Sequence, residues 1–188
     1  MAKKGMDAWR AKSWYTVVAP DYFGGVEIGE TPADSPEKLL GRVIEVTLRE
    51  LTNDITKQHV KLKFQIDRVN GERAYSKFIG HSFTRDYVRS KVRRGTTRID
   101  AIFDVKTADG KKIRVSAIAF TRYRAKTSQE DEMRSIMREY ITEEASKTKF
   151  EDFVRKVVGG EYNKEMEERV RKIFPVRAVE IRKTKVLK

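Results

Sequence analysis

Cations are the side chains in this sequence best suited to chemistry, and they concentrate in one stretch. Arg85, Arg89 and Arg93 are spaced four residues apart, so a helix aligns them in one row. Like charges at this spacing repel by about a few tenths of a kcal/mol per pair unless an anion lies along them. The row therefore predicts contact with nucleic-acid phosphates. Asp86 is the only acid in a cluster made of Arg85, Arg89, Lys91, Arg93, Arg94 and Arg98.

Further basic groups are predicted to extend this RNA-binding surface. The arginines on either side of Tyr123 suit RNA, because a guanidinium and an aromatic ring both stack on bases. A solvated hairpin rim or strand end explains the groups at residues 111–112 and 122–126 equally well, and nothing local decides for residues 182–185. The predicted RNA-binding residues outside the first cluster are Lys3, Lys4, Arg10, Lys12, Trp14, Lys111, Lys112, Arg122, Arg124, Lys126, Arg182, Lys183 and Lys185.

Residues for catalysis or metal binding are sparse. The chain has no cysteine, and its two histidines, His59 and His81, have no second ligand at metal-binding spacing. Asp100 and Asp104 share a predicted strand face about 13 Å apart, far beyond the ~4 Å of a two-metal centre, so pairing with cations is expected instead. We therefore expect no catalytic residue, no metal and no cofactor.

The charge of the whole chain favours a polyanionic partner. The 188 residues include 41 basic and 28 acidic side chains, a net charge of +13. Residues 51–126 hold 19 basic and 7 acidic side chains, so a surplus of 12 lies in the predicted strand-rich centre. The apolar runs are far shorter than the roughly 20 residues of a membrane helix, and the first residues lack the apolar core of a signal peptide. We expect a cytoplasmic protein with no membrane contact.

Most elements that must position the cations are predicted to be β-strands. Residues 60–67, 99–105 and 113–119 alternate apolar and polar side chains, and Asn70-Gly71 and Asp109-Gly110 are typical of tight hairpin turns. Residues 84–94 predict a short basic helix between the hairpins. Residues 1–40 are rich in glycine and proline and predict an extended arm whose aromatic side chains dock on RNA or a neighbouring protein.

Helical periodicity dominates the last third of the chain, where three helices and a final strand are predicted. The predicted fold class is α+β, a small antiparallel β-barrel of five or six strands with a short inserted basic helix, three C-terminal helices and an extended N-terminal arm. The predicted domains are the arm at 1–40, the barrel core at 41–126, and a helical region with the final strand, packed on the core, at 127–188.

Short motifs follow one another in a defined order from about residue 12 to residue 185. They are Trp14-Tyr15, Ala19-Pro20, Gly41-Arg42-Val43 with Glu45-Val46, Asn53-Asp54, Thr84-Arg85-Asp86, Val105-Lys106-Thr107 with Asp109-Gly110, Phe120-Thr121-Arg122, and Pro175. In this order and spacing the sequence resembles the archaeal and eukaryotic small-subunit ribosomal protein one family, also called the S-three-A-e family. Its length resembles the short archaeal form.

The resemblance implies a structural constituent of the small ribosomal subunit, bound to ribosomal RNA at the platform near the messenger exit. It implies neighbouring small-subunit proteins as partners, with messenger RNA near the exit as a further one, and no catalytic role for the matched residues. Two alternatives stay open from the residues themselves. One is an RNA-binding translation factor, and the other is an RNA-processing enzyme whose fold gathers Asp54, Asp67 and Asp86.

Overall fold

The computed structural model describes residues 12–187, and an α+β fold is confirmed in this range. The strands are β1 (Ser13–Val18), β2 (Glu27–Ala33), β3 (Val43–Thr47), β4 (Val60–Asn70), β5 (Arg73–Phe83), β6 (Arg98–Lys106), β7 (Lys112–Thr121) and β8 (Val176–Val186). The helices are α1 (Leu48–Thr52), α2 (Arg85–Lys91), α3 (Thr127–Lys147), α4 (Phe150–Gly159) and α5 (Glu161–Arg171). The three predicted C-terminal helices and the final strand are therefore confirmed.

The strands form an open sheet, so the predicted barrel of five or six strands is wrong. Hydrogen bonds join the strands in the order β2-β1-β5-β8-β7-β6, with β4 beside β5 and β3 beside β4. In the described range β2, β3 and β6 each pair with a single neighbour. An alternating sequence shows which strands bury one face, but closure depends on strand tilt and stagger, which no local pattern specifies.

By its contacts the chain divides into two compact units. The first unit comprises the residues up to Gln58 together with Leu62–Ile79, and the second comprises His59–Lys61 together with the residues from Gly80 onward. The long strands β4 and β5 contribute residues to both units. The predicted RNA-binding clusters between residues 85 and 185 all belong to the second unit.

In the first unit, part of the predicted arm is built into the sheet. Strand β1 pairs with β2 in antiparallel and with β5 in parallel orientation, and Tyr15 is buried in a core with Leu39 and Ile66. Phe23 packs edge-on against Phe64 with 5.5 Å between ring centroids. The prediction that the aromatic side chains of the arm dock elsewhere is therefore wrong for Tyr15 and Phe23. Gly29 and Pro32 interrupt the period of β2, which conceals this strand from sequence reasoning.

In the second unit, β6, β7 and β8 form an antiparallel sheet that continues to the end of β5. Helix α3 packs against β6. On β7, Ile118 and Phe120 alternate with alanines, so they lie on one face of the sheet, and Val88 of α2 packs there. Strand β7 is buried on both faces from Val115 to Thr121. The contact of Val88 with Ile118 and Phe120 therefore holds α2 on the sheet.

Helix α2 is shorter than the predicted helix at residues 84–94. It ends at Lys91, because Val92 adopts an extended backbone and Gly95 follows with a φ of 76°. Arg93 therefore lies in the loop after α2, and the predicted helical row keeps only Arg85 and Arg89. None of the helices within residues 12–187 is long and apolar enough to cross a membrane.

One histidine is part of the buried structure where β5 meets β8. His81 is 2% exposed, with its Nε2 3.0 Å from the carbonyl oxygen of Ile181 and its Nδ1 2.7 Å from Oγ1 of Thr184. The carbonyl can only accept, so Nε2 carries the proton and Nδ1 accepts from the threonine hydroxyl. Burial lowers the pKa of His81 to about 4, so the ring is neutral at physiological pH.

Candidate nucleic-acid interface

Helix α2 is held by its middle residues, which leaves its arginines outside. The Tyr87 ring stacks on His59 at 3.8 Å between centroids, and its hydroxyl donates to Oε1 of Glu180 at 2.8 Å. Burial, and then the bond to this carboxylate, raise the pKa of Tyr87, so its hydroxyl keeps the proton that it donates. Arg85 and Arg89 are exposed. Because the helix is anchored, these two charges are presented in a fixed position.

A pair of threonines ties the loop at residues 92–97 to the loop at residues 122–126. The backbone N–H of Thr97 donates to Oγ1 of Thr121 at 2.8 Å, and the Thr121 N–H donates to the Thr97 carbonyl at 3.0 Å. The N–H of Ala125 donates to Oγ1 of Thr97 at 3.1 Å. These bonds bring together two basic stretches that are separated by about two dozen residues in sequence.

The cations of α2 and of the two loops share one end of the second unit's sheet. Arg98 of β6 is opposite Phe120, the residue on which Val88 of α2 packs. The cations at this end are exposed. We call them the basic end, which consists of Arg85, Arg89, Arg93, Arg94, Arg98, Arg122, Arg124 and Lys126.

Ion pairing distinguishes the basic end from the other charged surface of the second unit. Within residues 12–187, Arg98 is the one member in an ion pair, through Nε and Nη2 to Asp100 at 2.8 and 2.6 Å. By contrast, glutamates of their own helices pair with the cations of α3 and α5 at Arg134, Lys147, Arg169 and Arg171. These four helical cations are neutralised within their own helices, whereas in the described range seven of the eight cations of the basic end have no ion pair.

Arg182 lies beside Asp100, the acid that pairs with Arg98 of the basic end. Its side chain is half-buried, with Nη2 3.9 Å from Oδ1 of Asp100. Its Nε is buried and has no hydrogen-bond partner among the described residues. Lys91, the last residue of α2, lies over the ring of Tyr87 with Nζ 4.9 Å from the centroid. Both cations contact protein groups next to the basic end.

Other predicted cations are far from the basic end. Lys112 pairs with Lys106 across the hairpin, eight residues along β6 from Arg98, which corresponds to about 26 Å. Lys111 lies over the ring of Phe150, with Nζ 4.2 Å from the centroid. Lys183 and Lys185 are exposed on β8, where they lie opposite Ser116 and Arg114 of β7. In the first unit Lys12 is exposed and Trp14 is 55% exposed, whereas Lys3, Lys4 and Arg10 lie outside the described residues.

The carboxylates that sequence reasoning considered for catalysis have structural partners. Arg114 donates from Nε to Oδ1 of Asp104 at 2.7 Å and lowers the pKa of this carboxyl, and Asp100 binds Arg98, so the predicted pairing of both with cations is confirmed. Asp54 accepts from the N–H of Thr56. Asp67 is 2.5 Å from Nζ of Lys77. In the part of the chain that the structure describes, no three His, Cys, Asp or Glu side chains are grouped to hold a metal.

Sequence reasoning missed the residues that assemble the basic end. Thr97, Thr121 and Tyr87 carry no charge, and their contacts span 24 to 93 residues in sequence. No periodicity marks them. One signal was available in the sequence, because Thr121 directly precedes Arg122-Tyr123-Arg124. A strand that presents three large side chains after its last residue must end in a defined geometry, so a hydrogen-bonding residue is expected at this position.

The fold and this surface together define a class: basic α+β proteins with an exposed, preformed cationic surface. The chain belongs to the Ribosomal S3Ae family, whose model matches residues 1–188. This assignment confirms the family resemblance found in the sequence motifs. The family is that of a ribosomal protein, which agrees with the expectation that the chain is not an enzyme.

Relatives from several archaea carry the name small ribosomal subunit protein eS1. One from Methanopyrus kandleri is 52% identical over 185 residues, covering 96% of this chain and 88% of the relative. One from Desulfurococcus amylolyticus is 50% identical, covering 96% of this chain and 85% of the relative. One from Archaeoglobus fulgidus is 46% identical over 188 residues, covering 99% and 89%. The similarity extends over nearly the whole length of each protein.

Proposed function

We propose that this chain is a structural constituent of the small ribosomal subunit and that it binds ribosomal RNA through the basic end. Its relatives are named for that subunit. The observation that carries the RNA-binding part is the set of exposed cations on α2 and the two tied loops that have no ion pair within residues 12–187. Ribosomal RNA is the polyanion of the particle for which the relatives are named.

The mechanism is electrostatic and architectural. Arginine and lysine side chains neutralise phosphates and release their counterions, which makes affinity fall as salt rises. Phosphate contacts fix position and orientation without reading sequence. Because Tyr87 and Val88 anchor α2 and Thr97 ties the two loops together, the charges lie in a fixed pattern that selects a shape of RNA backbone.

The proposal extends to a finer location, which the family resemblance supports. We propose that the protein lies at the platform near the messenger exit, in contact with neighbouring small-subunit proteins, and that messenger RNA near the exit is a further partner. The cytoplasm is then its compartment. Lys111, Lys112, Lys183 and Lys185 are a second set of phosphate contacts in this proposal, as are Lys3, Lys4, Arg10 and Lys12 of the N-terminal region. Trp14 is an aromatic contact of the same region with RNA.

Sedimentation of a tagged chain with small subunits tests the proposal. A structural constituent stays with subunits that have been washed in high salt, whereas a translation factor leaves with the wash. We expect the tagged chain in the washed subunit peak, and we expect replacement of Arg122 and Arg124 by glutamine to reduce its occupancy. Complete release of the wild-type chain by salt would contradict a constituent role.

A further inference from the structure

Tyr123 stands out among the aromatic side chains of the second unit because its ring is 67% exposed. Within the described residues, the ring and hydroxyl make no hydrogen bond and no aromatic contact. Arg122 and Arg124 on either side are also exposed and have no ion pair there. A flat ring between two available guanidinium groups forms a small platform on the basic end.

The backbone under this platform is fixed by hydrogen bonds. The carbonyl of Tyr123 accepts from Oγ1 of Thr121 at 2.6 Å, and the N–H of Arg122 donates to the carbonyl of Pro175 at 3.0 Å. On the far side, the N–H of Lys126 donates to Oε1 of Gln129 at 3.0 Å. The segment has neither helical nor strand structure, yet its main chain is already ordered, which reduces the entropy lost on binding.

We propose that Tyr123 stacks on an unpaired nucleobase of RNA while Arg122 and Arg124 contact the phosphates on either side. This inference rests on the proposed function, because the ligand is RNA. An aromatic ring offers a flat face that every base matches, and single-stranded bases are available to it. In a duplex the base faces are stacked on one another, so the ring reaches only the unpaired parts of an RNA.

The charges at this position favour RNA over a protein partner. Three cations lie in the segment at residues 122–126, and the nearest acid in sequence, Glu130, is paired with Arg134. A group of cations with no acid among them matches a polyanion, and arginine beside an aromatic ring is typical of single-stranded RNA sites. The tyrosine therefore adds a preference for unpaired RNA to a surface that otherwise binds phosphates.

Binding of the full chain to two RNA probes tests this inference. The probes are a single strand of about 12 nucleotides and a blunt duplex of about 12 base pairs. The variants are Tyr123→Leu, which removes the flat face, and Tyr123→Phe, which keeps it. Ile102→Ala is the matched control, because Ile102 is 57% exposed on β6 of the same unit and has no aromatic face.

We expect Tyr123→Leu to weaken single-strand binding about tenfold, to leave duplex binding unchanged and to keep the salt dependence of the wild type. Tyr123→Phe and Ile102→Ala should bind both probes as the wild type does. An unchanged single-strand affinity in Tyr123→Leu, an equal loss on both probes, or a matching loss in Tyr123→Phe would overturn the inference. The inference would also be overturned if Tyr123→Leu bound both probes normally but small subunits that contain this variant lacked a neighbouring protein. A wild type that binds neither probe would remove the proposed function as well.

Discussion

Acidification should destabilise this protein through His81 at a pH where most carboxylates are still ionised. Unfolded histidine has a pKa of about 6.5, whereas burial lowers the pKa of His81 to about 4. Below about pH 6.5 the unfolded chain takes up a proton that the folded chain excludes, so stability is full above this pH and falls as the pH drops toward 4. A difference of about 2.5 units corresponds to roughly 3 kcal/mol in total, of which about 2 kcal/mol is lost by pH 5.

Denaturant unfolding, measured from about pH 7.5 to about pH 5, gives the free energy of unfolding at each step. His81→Gln removes the titrating group and should flatten the profile, even if the variant is less stable overall. His59→Gln, at the other histidine of the chain, shows which of the two histidines carries the slope. A wild type with constant stability over this range, or a slope that disappears with His59 instead, would refute the reasoning.

Three further predictions concern single contacts. A Cβ on Gly80 would lie 2.3 Å from the carbonyl oxygen of Thr184, so Gly80→Ala should push β5 away from β8. We expect this variant to have a free energy of unfolding about 1 to 3 kcal/mol lower in denaturant titrations. Thr121→Val removes the hydroxyl that bonds Thr97, so it should lower RNA affinity in filter binding although no charge is lost. Tyr87→Phe leaves a half-buried carboxylate of β8 without its donor and should cost about 1 to 3 kcal/mol of stability by thermal unfolding. A variant that matches the wild type in its assay would contradict the role given to the contact that it removes or disturbs.

Local signals in the sequence predict much of the fold. The turns at Asn70-Gly71 and Asp109-Gly110 and the alternating strands around them match β4 to β7, and the apolar spacing of the last third matches α3, α4 and α5. The open sheet and the strands β1 and β2 were not predictable in this way. Strand β1 forms by pairing with the distant β5, as Thr16 does with Arg73, and such pairing leaves no local period. Strand β2 in turn pairs with β1.

The sequence predicts which basic residues belong to the candidate site, but it does not predict how they are arranged in space. Arg85, Arg89, Arg122 and Arg124 are recognisable as basic clusters, yet nothing in the sequence shows that the clusters adjoin. Their proximity depends on Val88 packing on β7 and on the threonine bonds between the loops. Arg93 is not part of the predicted helical row, because the helix ends where the backbone at residue 92 becomes extended.

The salt dependence of binding to purified small-subunit ribosomal RNA tests the central claim most directly. The variant Arg122→Gln with Arg124→Gln removes two charges from the basic end. The control, Arg138→Gln with Arg155→Gln, removes from α3 and α4 two exposed charges that form no ion pair with the described residues. We predict that the slope of log affinity against log salt falls by about 0.7 to 0.9 per lost contact in the first variant and stays at the wild-type value in the control. Equal slopes in the two double variants would contradict the claim that the basic end is the RNA-binding surface.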